Sequence, residues 1–102
     1  MKITHPPVLK CKTCFAINKP TIEDFENPET QSYDRNMGPE IEFLWTLDFE
    51  CEKCKSELTV QISGWEYPIG IMNYQVTEVS GCSIAEEALL EVEFDQNNFN
   101  YL

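Results

Sequence analysis

Histidine, basic residues and long apolar runs are all scarce in this chain of 102 residues. His5 is the one histidine, so any Ser/His/Asp or Cys/His catalytic arrangement would rest on it alone. Neither a phosphate-cradling glycine loop nor an H-E-x-x-H pattern occurs. The expectation is a protein that is not an enzyme. Lys and Arg number 7 against 18 Asp and Glu, for a net charge of −11. Such a surface repels nucleic acid and anionic membranes and attracts basic partners. No apolar run approaches the roughly 18 residues that cross a bilayer, and residues 1–10 hold no apolar run of signal-peptide type. A soluble cytoplasmic protein is the resulting expectation.

The charge is unevenly spread. Lys2, Lys10, Lys12 and Lys19 stand in residues 1–20 without a single acid, leaving Arg35, Lys53 and Lys55 against all eighteen acids in the remainder. An apolar content of 42%, with 12% aromatics, argues for one folded domain over residues 1–102 and against a disordered tail. A core of this size is small, and cross-links would help it.

Four of the five cysteines supply such links, as C-K-T-C at 11–14 and C-E-K-C at 51–54 with thirty-six residues between the pairs. Two cysteines three apart on a tight turn can point both sulfurs at one ion, and two such turns close a tetrahedral shell. A closed shell leaves no open position for water, so the ion would hold the fold and activate nothing. A disulfide framework would need an oxidising compartment and leaves an odd thiol. A redox dithiol of the thioredoxin kind would sit beside a βαβ pattern, which is absent. The fifth cysteine, Cys82, follows Gly81 and reads as a small buried thiol.

Strand periodicity surrounds the second pair. Ile41, Phe43, Trp45, Leu47 and Phe49 alternate with mostly polar residues over 41–50, and Leu58, Val60 and Ile62 do so up to Gly64. The C-E-K-C therefore sits on the turn of a hairpin. In these residues the chain resembles the zinc-ribbon superfamily, over roughly 8–15 and 41–63. The resemblance implies two knuckles sharing one structural Zn2+, with Cys11, Cys14, Cys51 and Cys54 as ligands. Many ribbons carry glycine directly after the second cysteine of each knuckle; Phe15 and Lys55 stand there in this chain.

Beyond the hairpin, 64–70 reads as a turn-rich link, and 71–79 as a third strand with a bulge near Asn73, where the alternation slips. Residues 84–94 are ambiguous. Ser83 and Glu86 fit a capping box and a short C-terminal helix, whereas Leu90, Val92 and Phe94 alternate as in a strand, which is the preferred reading at 88–95. Phe99 and Tyr101 of the asparagine-rich tail either fray or tuck against the sheet. Between the two cysteine pairs, residues 18–40 hold three prolines and six acids, which reads either as a mobile, solvated acidic loop or as a binding loop with Ile22 and Phe25 as docking anchors.

The fold class expected is mainly β: a small antiparallel sheet with a four-cysteine zinc ribbon. The function expected is an acidic, zinc-stabilised protein–protein interaction module, an inhibitor or immunity-type partner of a basic, nucleic-acid-binding protein. Its partner surface would combine Glu86, Glu87, Glu91 and Glu93 with the aromatics Trp65, Tyr67 and Tyr74, which read otherwise as lids over the core of a small sheet. The alternative is a nucleic-acid-associated ribbon acting through the basic first knuckle, where Lys10 and Lys12 flank Cys11 beside Phe15, within a larger complex.

Overall fold

The computed structural model describes residues 1–93, and they are mainly β. The frame is a four-stranded antiparallel sheet in the order β4-β5-β6-β7, made of β4 (Glu29–Arg35), β5 (Gly38–Glu50), β6 (Glu57–Glu66) and β7 (Met72–Ser80). Strand alternation dictates its two faces. Cross-strand register places Phe43, Trp45, Leu47 and Phe49 on the same side as Leu58, Val60 and Ile62, with Val79 and Met72 from β7. Trp45, Leu58, Val60 and Ile62 are buried there, and Phe43 stacks along the strand on Trp45.

Shorter strands cover this inward face. β1 (Lys2–His5) pairs with β9 (Leu89–Glu91), and β2 (Val8–Cys11) lies between β3 (Ile17–Asn18) and β8 (Cys82–Glu86). Met1, Ile3, Leu9, Phe25 and Ala88 complete one core with the sheet. The covering strands come so close at Gly64 that a Cβ there would lie 2.5 Å from Met1 Sδ and 2.9 Å from Leu90 Cδ1. Gly64 accordingly sits inside β6, where the sequence pattern ends the strand, because absence of a side chain is what seats the N-terminus.

Several expectations are met. The strand over 41–50 and the hairpin at the second cysteine pair are present. So is the bulge, since Trp65 faces Tyr74 and Glu66 faces Met72, leaving Asn73 unpaired. Others are corrected. Residues 18–40 are not a loop throughout: Asn18 ends β3, Ile22–Asp24 forms one 3-10 turn, and Glu29–Arg35 is the edge strand β4. All seven residues of β4 are exposed, so it has no apolar alternation to read; its backbone ladder to β5 holds it instead. Phe25 is 9% exposed and belongs to the core, which removes it as a free anchor. Ser83 and Glu86 lie in β8, a strand, so the capping-box pattern starts no helix. β9 takes only Leu89–Glu91 of the strand expected at 88–95; Phe94, Phe99 and Tyr101 lie outside the described residues. No helix among the described residues is long and apolar enough to cross a membrane.

Candidate metal centre

Two hairpins bring the four cysteines to one end of the sheet. The first knuckle turns between β2 and β3, and the second between β5 and β6. Their backbones repeat each other. In the first, Cys11 N–H donates to Ala16 O at 2.9 Å and Phe15 N–H to Cys11 O at 2.9 Å; in the second, Cys51 N–H donates to Ser56 O at 2.9 Å and Lys55 N–H to Cys51 O at 3.0 Å. Phe15 and Lys55 have φ of 63° and 65°, the left-handed conformation that glycine adopts without cost. The missing glycines leave the knuckle geometry intact, at a cost of about 1 kcal/mol per residue.

Cys11 Sγ lies 3.6 Å from Cys54 Sγ and Cys14 Sγ lies 3.5 Å from Cys51 Sγ, with all four sulfurs within 4.8 Å of one another. A tetrahedron with metal–sulfur bonds of about 2.3 Å has edges of about 3.8 Å, so the cluster is sized for one ion. Cys11 and Cys51 are buried, while Cys14 and Cys54 are partly open to solvent. This is the group the sequence singled out, brought together whole. The four could hold a metal ion in a zinc-ribbon-like arrangement.

Hydrogen bonding prepares the second knuckle for negative charge. The Cys54 amide, the Asn18 side chain and the Lys53 amide together pull the Cys51 thiol down to about 6, so it is a thiolate at neutral pH. The Ser56 hydroxyl and amide lower Cys54 likewise, with Ser56 Oγ 3.1 Å from its sulfur. At Cys14 the Ala16 amide acts downward, but burial and the other three sulfurs outweigh it and push the thiol up to about 11. Cys14 thus favours its protonated form while Cys51 favours the thiolate, as expected where like charges crowd before a cation is bound.

Asn18 was not marked as functional by its sequence context, yet it joins the knuckles. It is 2% exposed, donates from Nδ2 to Cys51 Sγ at 3.5 Å and to Ala16 O at 3.3 Å, and accepts Glu52 N–H at Oδ1 at 3.1 Å. Its sequence position, four residues past a C-x-x-C, carries no sign of this role. Cys82 pairs with Cys11 across β2 and β8, is fully buried, and has its thiol raised by burial, as expected of an inert packing thiol. His5 is half-exposed, with Nε2 3.4 Å from Glu86 Oε2, away from the sulfur cluster.

The sequence-derived partner surface divides in two. Trp65 and Tyr74 face each other across β6 and β7 and stack at 4.3 Å between centroids on the outward face. Tyr67 lies past β6, and its hydroxyl accepts Met37 N–H at 3.1 Å, bracing the β4–β5 turn. Glu86, Glu87, Glu91 and Glu93 are exposed on β8, β9 and their flanks, the strands that cover the opposite face; Glu91 stands opposite Lys2. The sheet separates the aromatics from these acids. Other acids share the outward face with the aromatic pair. Outward positions of β4–β7 hold Glu29, Glu40, Glu42, Asp48, Glu50, Glu57 and Glu78 against one base, Arg35, which pairs with Glu40 at 3.2 Å.

Fold and site together define a small β protein with a four-cysteine, metal-competent centre. Comparison with protein-family models, curated proteins and solved structures found no match.

Proposed function

We propose that this protein is a non-catalytic, cytoplasmic interaction module, a zinc ribbon held by one structural Zn2+, that binds a basic protein through the outward face of its sheet. The observation that carries this reading is the composition of that face: an apolar strip of Leu44, Trp65, Tyr74 and Val76 with Glu29, Glu42 and Glu78 on the strands beside it, on a sheet face that holds seven acids against one already-paired base. Desolvated aromatics ringed by charge are the usual anatomy of a docking surface, with charge speeding encounter and aromatics setting residence time. Zinc fits four thiolates with no open position. The role of an inhibitor or immunity-type partner suits this charge, because a protein that binds nucleic acid offers a basic surface.

Titration with an arginine-rich peptide tests the reading. Trp65→Ala and the reversal Glu42→Lys with Glu78→Lys should each weaken binding by about tenfold or more, and added salt should weaken it too. Reversal of Glu86, Glu87, Glu91 and Glu93 should act less. No binding at low salt would remove the basic-partner reading, whereas equal loss from both sets of reversals would remove only the choice of face.

One observation favours the alternative. Phe15 is 67% exposed at the first knuckle with Lys10 Nζ 5.5 Å above its ring, and Lys12 is exposed beside it. An aromatic platform beside ammonium groups can stack a base and meet phosphate. Retention of single-stranded nucleic acid at low salt, lost in Lys10→Glu with Lys12→Glu, would establish it; no retention by the unaltered protein rejects it.

A further inference from the structure

The strand β4 is one of the two edges of the main sheet, β7 being the other, and its sequence is complementary to itself. Among the described residues it is bonded on one side only, to β5, and each of its residues, Glu-Thr-Gln-Ser-Tyr-Asp-Arg, is exposed. Alternate N–H and C=O groups of such a strand point away from its neighbour, unpaired, as a template for another strand. Edges of this kind are normally blunted by proline, a bulge or brevity. β4 has seven residues, no proline, and an unbroken register to β5.

We propose that β4 pairs with β4 of a second copy of this chain, antiparallel about a two-fold axis at Ser32, making one continuous eight-stranded sheet. In that register Glu29 stands opposite Arg35 of the second copy, and Arg35 opposite its Glu29, so the strand's two ends form two ion pairs. Thr30 then faces Asp34, Gln31 faces Tyr33, and no like charges meet. Arg35 is the chain's one arginine, its side chain is 55% exposed beyond its bond to Glu40, and its planar fork can serve a second carboxylate. A two-fold contact needs such self-complementarity, since each residue must suit its own mirror position. Parity of the register keeps the outward faces of both sheets on one side, doubling the apolar strip and its acidic rim.

Net charge opposes the pairing, because two chains of −11 repel. The contact is therefore weak, with a dissociation constant of the order of 0.1 mM, and it tightens as salt screens the repulsion. This dependence is opposite in sign to that of a basic partner on the sheet face, so the two proposals stand or fall separately.

The test is sedimentation equilibrium of the metal-loaded full chain from about 10 μM to about 1 mM, at low and high salt. Dimer that grows with concentration and with salt is expected. Glu29→Arg, which leaves the Arg35–Glu40 pair untouched, should weaken it by about tenfold by setting two arginines opposite each other, and Glu29→Arg with Arg35→Glu should recover most of the loss. Amide exchange in β4 should slow at alternate residues as concentration rises. Monomer throughout overturns the proposal, and so does a dimer whose strength ignores both variants.

Discussion

At the level of single residues, the metal centre was legible in its ligands and hidden in its supports. Cysteine spacing carries the ligand set because sulfur placement depends on a local turn, and a local turn is written in four consecutive residues. Asn18 acts across thirty-three positions of sequence on Cys51 and thirty-four on Glu52, and nothing local records that. Its amide places a donor on the thiolate that its neighbours already favour as charged, and its carbonyl oxygen fixes the second knuckle's backbone. Replacement by alanine removes both and leaves Glu52 N–H without that acceptor. Asn18→Ala should therefore weaken metal affinity by about 10-fold to 100-fold while the chain still folds in excess metal, as competition with a chromophoric chelator would read. Unchanged affinity would reduce Asn18 to a packing residue. The left-handed Phe15 and Lys55 teach the complementary lesson: absence of glycine does not preclude the glycine conformation, because paired hydrogen bonds around each knuckle overdetermine it.

Among the elements, β5 and β6 were readable because one of their faces is buried and the other wet, which writes period two directly into the sequence. β4 and β8 escaped the same reasoning for different reasons. β4 buries no residue, so hydrophobicity is silent and only its ladder to β5 defines it. β8 carries a serine and glutamate at capping distance, but Cys82, Ser83, Ile84 and Glu86 are claimed by pairing with β2, and tertiary pairing overrides a local helix signal. Gly64 shows the error a local rule makes at a packing contact. It looks like a strand terminator and is instead the point where β6 admits Met1 and Leu90. Gly64→Val should cost about 1–3 kcal/mol in stability by pushing the N-terminal cover off the sheet. Denaturant unfolding would measure it, and a neutral result would mean that Met1 and Leu90 swing clear at no cost.

For the whole molecule, the elongated shape, 52 by 25 by 19 Å, makes the metal-bearing end a region apart from most of the sheet. That end is built from β2, β3 and β8, strands of four, two and five residues, against the tips of β5 and β6. Strands so short hold little by themselves. Leu9 and Leu58 are buried there, but the four sulfurs and the Asn18 side chain tie the two knuckles together, and without an ion the sulfurs crowd partial negative charge into a few ångströms. The middle of the sheet is different, since Trp45, Val60 and Ile62 share a core with Met1, Ile3 and Ala88 and stand six to eight residues along β5 and β6 from Cys51 and Cys54. Removal of the metal should therefore act unevenly. With chelator present, amides of Leu9, Cys11, Ile17 and Asn18 should lose protection by at least about tenfold, while those of Trp45, Leu47, Val60 and Ile62 keep most of theirs. Amide exchange followed residue by residue distinguishes this from a single cooperative collapse. If protection falls together along the whole chain, the ion is a keystone for the entire fold and the sheet has no stability of its own. If it falls only at the knuckles, the outward face survives without metal, and binding of a basic peptide to that face should persist in chelator.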